Sequence, residues 1–385
     1  MNPGSIEAKK QNILRMLREL YDHPDLSRKE LGQRFGLSAS TVTLAINALL
    51  EQGLLMENGQ EEAAAGRKAR LLRVNAAAGS ILVIHPLDNH AVQLRLCDLC
   101  GSRLAEQTLP PTDMPTAATY AHQLAAAAKA FLTTCPNTRL SAAAVIIPGV
   151  MNPDGTADLP VFGWDSVDFS VLPQQLGVPV WCDTVLHLLG SYEVRQTAAR
   201  GRQIYLSLEP GVGMSCYEDG RAVTSRNLLF GEIGHISMHE NGPVCYCGNR
   251  GCLEYYCGIP GIVSRMKSAA AHCPILASFP MTPEALPAAA NQGSTAARAL
   301  LEEISTELGR AIVTIRNMLD PDQVIISGRL WQMPEIQEPV RQLVYSRTLS
   351  RTRDPLPLCS AALSSDQYEV GVCHYVFNRL IEQIV

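Results

Sequence analysis

An α/β body preceded by a small winged helix-turn-helix is the fold this sequence predicts, and three observations lead there. Before residue 75, two short helical patterns joined by a tight glycine-containing turn are followed by two apolar segments around a polar loop. From residue 76 onward, strand-length apolar runs alternate with helix-length runs. Within the second half, 231–254 places two histidines, three cysteines and six glycines or prolines in two dozen residues, the composition of a metal knuckle.

In the N-terminal part, residues 5–20 set Ile6, Ile13, Leu14, Leu17 and Leu20 at helical spacing. Ser27 and Glu30 then form a capping box, with Leu31 and Phe35 on one face and Gly36 as the stop. A second helix begins at a Ser38 cap. Val42, Ile46 and Leu49 or Leu50 are expected to face the core, which leaves Ser40, Thr41 and Thr43 with Ser38 near the end that enters a groove. Hydroxyls there serve phosphates or base edges alike. The next segments predict a hairpin wing with Arg67, Lys68 and Arg70 crowding its return strand and Glu61 and Glu62 at its tip.

The body opens with a predicted hairpin: strand 80–86, a turn at Asp88 and Asn89, and the alternating run 91–99. A helix over 116–135 precedes strand 141–147, which ends in Pro148, Gly149 and a turn at Asp154 and Gly155. The next strand contains Cys182 and runs into a helix with Asp183 at the junction, where Asp is also a good N-cap. Segment 202–223 predicts another hairpin. Helices then run through 259–318 to the apolar strand 323–327, and the closing segment 366–385 is expected to be a helix packed on that last half. Cys97 and Cys100 form C-x-x-C, but an alternating strand points them apart or ends in the turn at Gly101, which argues against a redox pair.

In the knuckle, Cys245 and Cys247 are one residue apart, Cys252 follows five later, and His235 lies ten upstream. One loop can thus bring one nitrogen and three sulfurs to a tetrahedral ion, a ligand set that favours structural Zn2+. Gly248 and Gly251 supply the φ freedom to fold Cys252 back toward Cys247. Spacing alone leaves His239 as a rival to His235.

The order E-x-G-H, C-x-C-G-x-x-G-C-L-E resembles the signature of the ROK family of sugar kinases and sugar-responsive repressors. The resemblance covers about residues 75–385 and implies a two-lobed ribonuclease H-like body of the actin and hexokinase type. It favours His235 as the zinc ligand and implies that Glu232, His235 and Glu254, with Asp183, contact a sugar. In the kinases of that family, the Asp at the Asp183 position is the catalytic base. Here it stands as a vestigial one: Cys182 replaces the family's Asn, and both phosphate loops are altered. The first has Pro86 and no glycine where phosphate approaches. The second reads Glu209-Pro210-Gly211-Val212-Gly213, with a carboxylate where a triphosphate would lie. Ser327-Gly328 resembles the family's G-G turn with one glycine replaced.

The 385 residues, 46% of them hydrophobic, suffice for more than one core, and the net charge of −5 excludes a uniformly basic coat. Residues 1–75 carry 11 Lys and Arg against 9 Asp and Glu, so the positive balance sits in the small N-terminal part. The expected domains are residues 1–75, a winged helix-turn-helix, and 76–385, a ROK body with its zinc knuckle at 235–252. The expected partners are a double-stranded DNA operator, a sugar or sugar-phosphate effector, a second copy of the chain in a homodimer or tetramer, and, as an alternative to the sugar, a regulatory protein. An active sugar kinase fused to a DNA-binding part is the enzyme alternative. No apolar run is long enough to span a bilayer and no leader pattern is present, so the expected location is the cytoplasm.

Overall fold

The computed structural model describes residues 3–60, 70–87, 90–110, 115–197, 199–226, 229–347, 355–364 and 366–384. The chain divides into two compact units, one made of Met1–Gly149, Gly155–Asp183 and Glu369–Val385, the other of Val150–Asp154 and Thr184–Tyr368.

The first unit begins with helices Pro3–Asp22, Arg28–Phe35 and Ala39–Glu51. Ser27 and Glu30 close the capping box in both directions, and Gly36 ends the second helix in the left-handed region at φ 63°. The Ser38 side chain caps the third helix by accepting from the Thr41 amide. Leu14, Leu17, Leu20, Leu31, Val42, Ile46, Leu49 and Leu72 are buried. Strand Leu55–Gln60 pairs antiparallel with Arg70–Val74, the expected hairpin, and Leu26–Ser27 adds a short third strand on its other side. The basic residues Arg67 and Lys68, the acidic tip at Glu61 and Glu62, and the Asp88 and Asn89 turn lie outside the described residues.

Its larger sheet has five strands: Ser80–Pro86, Val92–Asp98, Arg103–Leu109, Leu140–Ile147 and Val180–Thr184. In space their order is third, second, first, fourth, fifth. The first three form an antiparallel meander and the fourth runs parallel to the first. The third strand is missing from the sequence-based expectation because its faces carry mostly exposed polar residues. The hairpin of Thr156–Leu159 and Trp164–Asp168 was equally illegible, since its strands are short and interrupted by a 3-10 turn at Pro160–Phe162.

The second unit repeats this topology with strands Arg202–Ser207, Gly213–Glu218, Arg221–Ala222, Gln323–Ser327 and Leu358–Ser360, again ordered third, second, first, fourth, fifth. Gln323–Ser327 is parallel to Arg202–Ser207. Helix Thr295–Leu319 buries Leu300, Leu301, Ile304, Leu308, Ile312 and Ile315 in a core shared with Ile204, Leu206, Val324, Ile326 and Trp331. At about 1.5–3 kcal/mol per buried large aliphatic side chain, that face holds the helix far more firmly than its propensity does.

The closing helix, Tyr368–Ile384, departs from expectation. From Glu369 onward it belongs to the first unit rather than packing on the half that precedes it. Glu369, itself buried, receives the Arg95 guanidinium at 2.6 Å and that of Arg103 at 2.6 Å, while Val372, Cys373, Val376 and Phe377 turn an apolar face inward. A carboxylate this buried is tolerated because two cations meet it. Sequence order carried no sign of this return.

Candidate functional site

The knuckle is built by glycines and by two isolated bridges, Ser237 with Cys252 and Val244 with Arg250. Gly248 and Gly251 take positive φ of 88° and 60°, as the turn back to Cys252 requires. The ligand atoms of His235, Cys245, Cys247 and Cys252 all lie within 4.8 Å of one another. His239, the rival on spacing, is turned elsewhere: its Nε2 lies 3.2 Å from the carboxylate of buried Glu307 and its ring packs on Tyr256.

Two distances test whether this set fits a metal. Cys247 Sγ and Cys252 Sγ are 3.7 Å apart, and Cys245 Sγ lies 3.6 Å from His235 Nδ1. A tetrahedral ion with bonds of about 2.3 Å to sulfur and about 2.05 Å to nitrogen requires edges of about 3.8 Å and about 3.6 Å. These two separations match edges of a four-coordinate site. Burial raises the Cys245 thiol and pushes Cys252 up to about 12, whereas at Cys247 hydrogen bonds from the Asn249 amide and the neighbouring thiols outweigh burial and lower it.

With Nδ1 facing the cysteines, the other ring nitrogen of His235 looks outward. Its Nε2 lies 3.1 Å from the Tyr246 hydroxyl, and the two rings meet edge to face. Burial of the phenol first, and the nearby Glu254 carboxylate next, raises it well above its ordinary value. Tyr246 as a residue is 64% exposed. Glu254 Oε2 accepts the Val212 amide at 3.0 Å. Gly211 and Gly234 make room for this: a Cβ on Gly211 would stand 2.3 Å from that carboxylate, and one on Gly234 would stand 2.1 Å from the Val212 carbonyl. Burial raises the Glu232 carboxyl, Glu254 adds to the rise, and His235 and His187 oppose it. Glu232 is thus within electrostatic reach of His235, Glu254 and His187. Tyr246 and His187 carried no sequence signal beyond proximity to the cysteines for the first.

Asp183 lies in the first unit, where its Oδ2 accepts from the Tyr375 hydroxyl at 3.0 Å. It is a strand residue; the N-cap of the following helix is Thr184. Burial, then the neighbouring Asp183 carboxylate, pushes both the Cys182 thiol and the Tyr375 phenol up to about 12.

At the loop 209–213, Glu209 accepts from the backbone amide of Arg329 at 3.2 Å and pairs with its guanidinium, which also meets Glu284 at 3.2 Å. Arg329 follows the Ser327-Gly328 turn, so a carboxylate and a guanidinium close this loop on that turn.

On the winged unit, the candidate hydroxyls are mostly engaged locally. Ser38 Oγ lies 2.8 Å from Thr41 Oγ1 and 2.9 Å from Ser40 Oγ, while Thr43 bonds back to the Ala39 carbonyl at 2.7 Å. Among the other residues that the third helix presents outward are Leu44, 69% exposed, and Asn47, whose Oδ1 accepts from Arg28 at 3.4 Å. Sequence reasoning missed both, although an apolar residue off the core period at Leu44 was the available signal.

A family model described as the ROK family matches residues 89–374. The chain belongs to the ROK family. A winged helix-turn-helix DNA-binding model matches residues 9–56. Among ROK-like relatives, the DNA-binding transcriptional dual regulator NagC of Escherichia coli K12 is 25% identical over 374 residues, covering 94% of this chain and 91% of its own. The xylose repressor of Bacillus subtilis 168 is 23% identical over 390 residues, covering 98% and 97%. In fold, the chain is similar to a ROK family transcriptional regulator described as a homologue of the E. coli MLC protein, with TM-score 0.81, 21% identity and 98% of both chains covered. A ROK glucokinase from Streptomyces griseus, solved with glucose and AMPPNP, gives TM-score 0.64 at 19% identity, covering 77% of this chain and 99% of that one. The two-lobed ROK fold with a winged helix-turn-helix ahead of it is therefore the fold of this chain. Among the described residues no helix is long and apolar enough to cross a membrane.

Proposed function

We propose that this ROK protein is a sugar-responsive, DNA-binding transcriptional regulator acting as a repressor, and that it does not phosphorylate sugars. NagC and the xylose repressor, similar along nearly the whole chain, support the regulatory reading. The observation that carries the loss of kinase activity is the Glu209 carboxylate, tied to Arg329 where the resemblance places a phosphate loop. A triphosphate entering there meets a negative charge and loses the amide donor that Pro210 lacks.

In this reading the Cys3His set of His235, Cys245, Cys247 and Cys252 holds a structural Zn2+, which supplies a rigid cross-link and no open coordination position. The residues then act as follows. Glu232 and Glu254 accept from sugar hydroxyls, and His235, held by its Nδ1 side, donates from Nε2. Asp183 enters the sugar set through the resemblance. Ser38, Ser40, Thr41 and Thr43, with Arg67 and Lys68 of the wing, meet an operator. A homodimer, or a tetramer of such dimers, reads a roughly palindromic site, and the sugar biases the equilibrium between two arrangements of the paired DNA-binding units. Residues 1–75 form the DNA-binding domain and 76–385 the body, and the protein works in the cytoplasm.

Calorimetric titration of zinc-loaded protein with hexoses, amino sugars, sugar phosphates and ATP tests this. Heat from a sugar and none from ATP is the expected result. ATP-dependent phosphorylation of any of these sugars overturns it. Cys182 in place of the family's Asn favours one second reading, in which a protein partner releases the operator: a silent sugar titration with intact operator binding establishes that one instead.

A further inference from the structure

We propose that Tyr375 couples Asp183 to the DNA-binding unit: one face of the last helix holds that carboxylate, the adjoining face holds the first helix, and a sugar hydroxyl that reaches Asp183 shifts both. The inference rests on the sugar-responsive reading, with Asp183 in its sugar set, and gives that reading a residue that carries the signal.

Every residue involved belongs to the first unit. In Tyr368–Ile384, residues His374, Phe377, Asn378 and Glu382 recur at the spacing of one helical stripe. Along it, His374 Nε2 lies 3.1 Å from Asp22 Oδ1, the Phe377 ring lies 4.5 Å from that of Tyr21, and Asn378 Oδ1 accepts from Arg18 Nε at 3.0 Å. Glu382 takes the same guanidinium. Asp22 ends the first helix, and Asp25, just beyond it, accepts from Asn58 at 2.9 Å and from Arg73 at 3.0 Å, one residue on each strand of the wing. The end of the first helix is thereby tied to the last helix on one side and to the wing on the other.

Tyr375 follows His374 and is turned about 100° from it around the helix. Its hydroxyl donates to Asp183 Oδ2 at 3.0 Å. A sugar hydroxyl donating to Asp183 draws on the charge that holds the phenol, so the Tyr375 bond weakens as the sugar bond forms. Glu369, gripped by Arg95 and Arg103, pins the first turn of this helix. Tyr375 stands about 9 Å along the axis from that pin and Glu382 about 20 Å, so a displacement at Tyr375 is roughly doubled where the helix meets Arg18. Packed helix faces of this kind shift between discrete arrangements, which is what an effector can bias.

The test compares full-length zinc-loaded wild type with Tyr375→Phe, which keeps the ring and removes the donor, and with Asn378→Ala, which cuts the Arg18 contact at the other end. Each is measured for affinity to one duplex, recovered with wild type from a randomised pool, with and without the hexoses, amino sugars and sugar phosphates titrated above. In wild type a sugar is expected to change duplex affinity by on the order of tenfold, and in both variants by less than about twofold, while sugar heat and sugar-free duplex binding persist. By reciprocity, the duplex changes sugar affinity in wild type and leaves it unmoved in Tyr375→Phe. A residue that only supported the fold would weaken one binding event and leave the linkage between them intact. A full sugar-induced change in Tyr375→Phe overturns the proposal. Loss of sugar heat in that variant also overturns it, making Tyr375 a positioning residue for Asp183 alone. If Tyr375→Phe does not fold, a full change in Asn378→Ala overturns the proposal by itself. A wild type whose duplex affinity no sugar moves defeats the sugar-responsive reading and the coupling with it, whereas a change that survives both substitutions defeats the coupling alone.

Discussion

Single residues of the winged unit make separable contributions. The Glu30 carboxyl is held below its ordinary value by the Ser27 amide and then by the Ser27 hydroxyl. A depressed carboxylate contributes stability that is present above its unfolded pKa and lost as pH falls through its folded value. Ser27→Ala is therefore expected to lower stability by about 1 kcal/mol at neutral pH, with the deficit shrinking in acid, as urea unfolding at several pH values would record. On the outer face of the third helix, Leu44 and Asn47 are suited to a thymine methyl and an adenine edge, and that helix carries no cation suited to guanine. Leu44→Ala or Asn47→Ala is expected to cost about 1–3 kcal/mol on the best operator and to relax preference at one base pair, whereas exposed Lys29→Ala weakens all sequences alike and lowers the salt slope by about one. Binding isotherms on single-substituted operators separate the two behaviours.

At the scale of elements, legibility tracked how locally each was determined. The capping box, the Gly36 stop and the knuckle glycines are set by neighbours within a few residues, and all were readable. The choice between His235 and His239 was not readable from spacing, because it is decided by Glu307, on a helix some seventy positions further on. Nor was the placement of the last helix, whose anchors Arg95 and Arg103 lie in a sheet formed near the start of the body. Phe377 on that helix is 1% exposed and lies 4.5 Å from the Tyr21 ring, centroid to centroid. Phe377→Ala is expected to destabilise the first unit by about 3–5 kcal/mol, measured by chemical denaturation, with metal content unaffected.

For the whole molecule, a duplicated five-stranded topology supplies the scaffold. Removing the metal by chelation, or by Cys247→Ser, is expected to abolish sugar binding and to open 235–252 to protease while leaving most of the helix content by circular dichroism in place. The reason is that most of the core around Thr295–Leu319 comes from outside the knuckle, which meets it at Ile236, Met238 and His239. Retained sugar affinity after complete metal removal contradicts the coupling through His235.

The contact between the first helix and the last has a consequence in the order of synthesis. Asp22 meets His374 at 3.1 Å, and Arg18 meets Asn378 at 3.0 Å, across sequence separations of 352 and 360 residues. A ribosome adding roughly 5–20 residues per second leaves the first helix without its partner for on the order of half a minute. Nascent chains expose that side of the DNA-binding unit throughout this interval. Truncation before Glu369 makes the exposure permanent, so premature termination anywhere in the body yields a chain whose operator-reading part lacks its support.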